Sequence, residues 1–219
     1  MDFASLERIA LAAVPIILAI TVHEAAHGYV AKMFGDSTAW MLGRVTLNPF
    51  KHIDPIGTVV VPLAMLMLGG ILFGWAKPVP VNFGNLRHPK RDMFWVAAAG
   101  PGANLVMALL WAILFGLVSG RGPLTSAGLQ VMSLIGVGIN VALMVLNLLP
   151  ILPLDGGRIA VSLLPHSLAV PFAQTERYGF FVVIALLATG VLGVVVGPLA
   201  RAVTALLEAV TGINLPGGF

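Results

Sequence analysis

The chain has 219 residues, 58% of them apolar and only 10% charged, with a mean hydropathy of +0.99. An ordinary globular domain carries roughly 25% charged residues, so this composition excludes a water-facing surface and places the chain in lipid. Twelve basic against nine acidic residues leave a net charge of only +3, which is loop bias and not a nucleic-acid footprint; the absence of cysteine excludes disulfides, iron–sulfur clusters and thiolate zinc sites.

Apolar stretches fall at about 9 to 33, 56 to 74, 93 to 118, 128 to 149 and 178 to 198, each near or above the ~18 residues of a spanning candidate. The first reads as a retained membrane helix and not a secretory signal. Asp2, Glu7 and Arg8 precede it where a basic cluster would stand, and no small-residue cleavage site comes before His23-Glu24. A shorter semi-apolar piece runs from Arg158 to Leu164, and Leu199 to Val210 reads as an amphipathic tail helix bearing Arg201 and Glu208. The expectation is an all-α polytopic membrane protein with no separate soluble domain.

His23-Glu24-Ala25-Ala26-His27 lies inside the first stretch. On a helix, positions i and i+4 share a face, so both imidazoles can hold one zinc while the adjacent glutamate reaches its water. Three ionisable side chains in an apolar helix are costly unless paired or metal-bound. A catalytic zinc takes three protein ligands and leaves one position open. Asp2, Glu7, Asp92, Glu176 and Glu208 sit at the ends of apolar stretches or in the tail. Asp155 differs, because Pro150 and Pro153 with apolar neighbours hold its chain at membrane depth and Gly156-Gly157 permits a sharp turn. The expected set is one Zn2+ per chain on His23, His27 and Asp155, with Glu24 as general base.

Three ordered motifs carry a resemblance: His23-Glu24-x-x-His27 in a first membrane helix, Ala99-Gly100-Pro101-Gly102-Ala103-Asn104 opening a later one, and Asn147-Leu-Leu-Pro…Leu154-Asp155-Gly156 closing the next. Over roughly residues 18 to 160 the chain resembles the site-2 protease family of intramembrane zinc metalloproteases, in its short form without a PDZ or CBS domain. The resemblance implies the same ligands and the same base, matches Asn140 and Asn147 to family asparagines, and puts Asn147 near the substrate. It implies one membrane-embedded metalloprotease domain over 1–219, with a catalytic core at about 9–160 and further helices at 170–212.

The zinc motif lies near the C-terminal end of the first stretch and Asp155 just past that of the fourth. Four alternating spans would put those ends on opposite faces, ~30 Å apart. One stretch therefore enters and leaves on the same side, and 56–74, broken by Pro62 and Gly69-Gly70, is predicted to be re-entrant. Its return limb, Trp75 to Asn82, is expected to be extended, since each proline biases the residue before it away from helix. The predicted core is three transmembrane helices around zinc. Lys32, Arg44, Lys51, Lys77, Arg87, Lys90, Arg91, Arg158 and Arg177 then share one face, against Arg8, Arg121 and Arg201 on the other. That bias puts the active site toward the cytoplasm of a plasma or inner membrane. Trp75 and Trp95, joined by Trp40, are placed at one interface, while Trp111 packs between helices.

Pro78 and Pro80 remove amide donors from one edge of the limb, so Val79 and Val81 are the residues that could pair with an unwound substrate segment. Asn147 and Asn140 could donate to substrate backbone or oxyanion, or bind neighbouring helices. Gly100-Pro101-Gly102 is expected to let a helix start or pack closely, with Asn104 as a packing hydrogen bond. His52, His88 and His166 are read as loop residues. Expected partners are membrane-spanning or membrane-associated protein substrates and the bilayer, with no nucleic acid; self-association is left open. The competing classes are an ion-relaying transporter, which predicts no tightly bound zinc, and an inactive partner-binding homologue, which has no reason to keep Glu24.

Overall fold

A computed structural model describes residues 3–55, 57, 77–120 and 125–216, with side chains from residue 10 onward. The described residues are helical, without strands: α1 (Phe3–Met33), α2 (Thr38–Met41), α3 (Pro89–Val118), α4 (Ala127–Asn147), α5 (Asp155–Leu163), α6 (His166–Gln174), α7 (Glu176–Ala188) and α8 (Val191–Thr211). The starts and stops are local chemistry. Gly35 at φ +114° turns the chain off α1, and the Asp36 amide closes that end on Ala31 O at 2.9 Å. Pro89 opens α3, where the missing N–H costs nothing, and Asp92 reaches back to the His88 amide at 2.8 Å. Ser126 caps α4 through the Leu129 amide.

Among the described residues, four helices are long and apolar enough to cross a membrane: α1 from Ala10 onward, α3, α4 and α8. The chain is a multi-pass membrane protein. The expected stretch at 178–198 is not one span. Gly190, at φ +74°, breaks it, and the 13 residues of α7 reach only about 20 Å, short of the hydrocarbon thickness. The tail expected at 199–210 instead continues α8, so the spanning segment lies one helix later than hydropathy alone suggests. The expected re-entrant stretch, 56–74, falls outside the described residues apart from Gly57, as does Trp75.

Helix α3 is central, packing on α1, α4 and α5, with α8 against α4. Ala108, Trp111, Ala112 and Phe115 of α3 meet Val137, Val141, Met144 and Val145 of α4, and Ala200 and Leu207 of α8 close the cluster. Gly136 admits the Trp111 ring; a Cβ there would stand 2.5 Å from Trp111 Cγ. Trp111 is thus a packing residue, while Trp40 and Trp95 are half exposed, as interfacial tryptophans are.

Residues 77–82 carry no helix and run beside α1 and the 44–52 loop. The Lys77 amide donates to His52 O at 2.9 Å, and Arg44 Nη2 donates to Lys77 O at 2.8 Å. At the far end, buried Asp36 accepts from the Asn82 amide at 2.7 Å, Asn85 Nδ2 at 3.1 Å, and both Thr38 N–H and Oγ1–H. Burial alone would raise the Asp36 pKa, but these donors outweigh it and hold the carboxyl below its ordinary value. A depressed folded pKa contributes stability that is present above the unfolded value of about 3.9 and lost as pH falls through the folded one. The thermal midpoint of the detergent-solubilised protein should therefore drop on acidification below about pH 4. That part of the drop should disappear in Asp36→Asn.

Candidate metal centre

His23 and His27 project one turn apart from α1, and both rings are buried. Their Nε2 atoms lie 3.1 Å apart. Asp155, the first residue of α5, brings Oδ2 to 3.2 Å from His23 Nε2 and 3.3 Å from His27 Nε2. Two residues of one helix and one from 128 positions later thus offer three ligand atoms in a near-equilateral triangle. Among the described residues, these three form a group able to hold a metal ion.

The loop before α5 explains how Asp155 gets there. A Cβ on Gly157 would stand 2.6 Å from Leu152 N, and one on Gly156 would overlap Leu148 O. The glycine pair is therefore inside the helix and not a turn beyond it. Its missing side chains let the backbone of 148–152 fold onto the first turn of α5 and press Asp155 toward α1. Gly100 does the same from α3, where a Cβ would stand 2.6 Å from His23 Nε2 and nearer still to His27 Nε2.

The proton positions decide what the triangle can hold. His27 Nδ1 faces Val96 O at 2.7 Å, and a carbonyl only accepts, so Nδ1 carries a hydrogen, and the neutral ring keeps its lone pair on Nε2. His23 Nδ1 faces Asn104 Oδ1 at 2.6 Å in the same sense. Asp155 Oδ2 is buried and has no hydrogen-bond partner. Two lone pairs and a carboxylate oxygen converge; a proton on one nitrogen would relieve one contact, whereas a divalent cation satisfies all three. The edges of 3.1 to 3.3 Å also suit a tetrahedral ion with bonds of about 2.0 to 2.1 Å, whose ligands stand about 3.3 Å apart. The donor set fits zinc.

Glu24 is half-buried on α1, with Oε2 accepting the Val79 amide at 2.7 Å. Val79, expected to offer that amide to substrate, gives it to Glu24, because the limb lies against α1 where Gly28 leaves room for the valine side chain. Asn140 is completely buried, accepting from Asn104 Nδ2 at 2.9 Å and donating to Gly136 O at 2.8 Å. Of its two readings, this geometry supports the interhelical one. Asn147 is half-buried at the end of α4, with Nδ2 on Leu143 O at 3.0 Å. Buried His52 bonds Thr46 O within its loop, and His88 and His166 are exposed.

The side chain that sequence reasoning undervalued is Asn104, which touches a ligand ring directly. A signal was available: Asn104 stands one turn after Gly100, so a glycine pressed on the ligands and an amide share one face of α3.

The model of peptidase family M50 matches residues 116–190, which include Asp155 but not the two histidines. The chain is 39% identical over 193 residues to "Putative zinc metalloprotease YwhC" of Bacillus subtilis, covering 86% of this chain and 85% of that protein. The chain belongs to peptidase family M50, the site-2 protease family. The chain is also 34% identical to "Putative zinc metalloprotease Rip2" of Mycolicibacterium smegmatis, over 79% of this chain and 64% of that protein. Rip2 of Mycobacterium tuberculosis is 32% identical over 64% of this chain and 52% of its own length. No solved structure matches the chain.

Proposed function

We propose that this M50 chain is a zinc-dependent intramembrane endopeptidase that hydrolyses peptide bonds of membrane-spanning or membrane-associated proteins, as in regulated intramembrane proteolysis. The observation that supports it most is the convergence of His23, His27 and Asp155 acceptor atoms inside apolar helices, an arrangement of ionisable groups that is costly in a membrane unless they are paired or hold a cation. His23, His27 and Asp155 would hold a Zn2+ ion, which would supply Lewis acidity and activate water for attack at neutral pH. Glu24 moves the proton. Its carboxylate takes one from the attacking water and returns it to the leaving amine, with the Val79 amide holding Oε2 in place.

The single-domain reading over 1–219 stands with this proposal. So does a core of α1, α3 and α4 around the metal, with the site open to the cytoplasmic side of a plasma or inner membrane. Asn147 is the residue we assign to the substrate backbone. Strand addition along the limb narrows to Val81, since the Val79 amide is engaged by Glu24. Val81→Pro should abolish cleavage and leave zinc in place; persistent cleavage would remove the pairing idea.

The deciding experiment needs no substrate. Detergent-purified protein should carry about one zinc per chain, and Asp155→Ala sharply less, because a site with two histidines alone lacks the third ligand that closes it. No zinc in either protein would overturn the proposal and favour the ion-relay class.

A further inference from the structure

We infer that Asn104 and Asn140 form a relay of fixed polarity that dictates which nitrogen of His23 meets the metal, making Asn104 a positioning residue. The inference rests on the metal site proposed above. Its argument starts from atoms that can only accept. Asn140 Nδ2 stands 2.8 Å from Gly136 O, and Asn104 Nδ2 stands 3.3 Å from Ala19 O. A carbonyl oxygen cannot donate, so each of these amides must turn its NH2 end to its carbonyl. Asn140 is left presenting Oδ1 to Asn104 Nδ2, at 2.9 Å. Asn104 is left presenting Oδ1 to His23 Nδ1, at 2.6 Å.

A carboxamide oxygen also only accepts, so the His23 hydrogen is confined to Nδ1 and the Nε2 lone pair points at Asp155 and His27. Both asparagines are fully buried, so no solvent can rescue a flipped amide. Flipping Asn104 would set its oxygen against Ala19 O and Asn140 Oδ1 at once, leaving buried acceptors unpaired at a cost of a few kcal/mol. Polarity thus runs from Gly136 of α4 through α3 to the ligand on α1, and the Ala19 carbonyl returns the constraint to the helix that bears His23.

The two ligands are held unequally. His27 is fixed by the Val96 backbone carbonyl, which no substitution removes, whereas His23 depends on a side chain. Ring-orienting partners of metal-bound histidines are worth about 10 to 100-fold in metal affinity. The test is Zn2+ affinity by chelator competition on detergent-purified protein, together with the visible absorption band of the Co2+-substituted protein. Asn104→Leu should bind Zn2+ about 10 to 100-fold more weakly with an altered Co2+ band. Asn140→Leu, leaving Asn104 on the Ala19 carbonyl alone, should show a smaller loss and a shifted band.

A lower thermal midpoint with wild-type affinity and band in Asn104→Leu would overturn the inference. If Asn104→Leu does not fold, Asn140→Leu carries the test, and an unchanged Co2+ band there overturns it. Wild-type protein that binds neither metal would overturn the proposed function and this inference with it; a metal-loaded wild type with indifferent variants overturns the inference alone.

Discussion

Glu24→Gln should purify with a full complement of zinc and cleave a membrane-embedded substrate about 10^2 to 10^4-fold more slowly, the span that positioned proton transfer contributes. The side chain is not among the three converging ligand atoms, so metal content is untouched. Glutamine is nearly isosteric and its amide oxygen can still accept the Val79 N–H that Glu24 now takes at 2.7 Å. The limb therefore stays seated, and what disappears is the ability to take up a proton. Zinc measured on the same preparation separates this from collapse of the site. Wild-type cleavage by the glutamine variant would remove Glu24 from the chemistry.

The second large effect belongs to a residue with no side chain. Gly100→Ala should bring zinc from about one per chain to near none while helical content is retained. Its Cβ would stand 2.6 Å from His23 Nε2, closer than carbon and nitrogen approach without a bond. Neither ring can retreat cheaply, because each is pinned at its other nitrogen, His27 by Val96 O and His23 by Asn104 Oδ1. The backbone of α3 is itself locked between α1 and α4, and close-packed interiors yield little. Gly102, two residues on, has open space where its Cβ would be, so Gly102→Ala should keep its zinc. Equal loss in both would mean that the motif matters through helix flexibility and not through contact with the ligands.

The three side chains that converge were legible in the sequence as candidates because their constraint is local or chemical. The i, i+4 spacing of His23 and His27 is one helical turn, and Asp155 stood out among the carboxylates by the prolines and apolar residues around it. Asn104 was legible only as a packing hydrogen bond, and Asn140 as either a substrate donor or a polar group facing other helices. Which amide end faces which partner depends on the packing of α1, α3 and α4, and no spacing within one helix encodes that. The glycines divide in the same way. Gly156-Gly157 reads as a turn from sequence, whereas its use is to let a loop lie on a helix, a tertiary matter. Gly190 was invisible to hydropathy, which sums side chains and takes no account of a backbone in the left-handed region, so one apolar run became two helices.

The limb is held to α1 by two acidic side chains, Glu24 at the Val79 amide and Asp36 at the Asn82 amide. On the function proposed, that pairing sets a schedule. Any excursion of the limb that frees Val79 also strips the proton acceptor of its donor, so admission of a polypeptide and readiness to cut it fall at different moments.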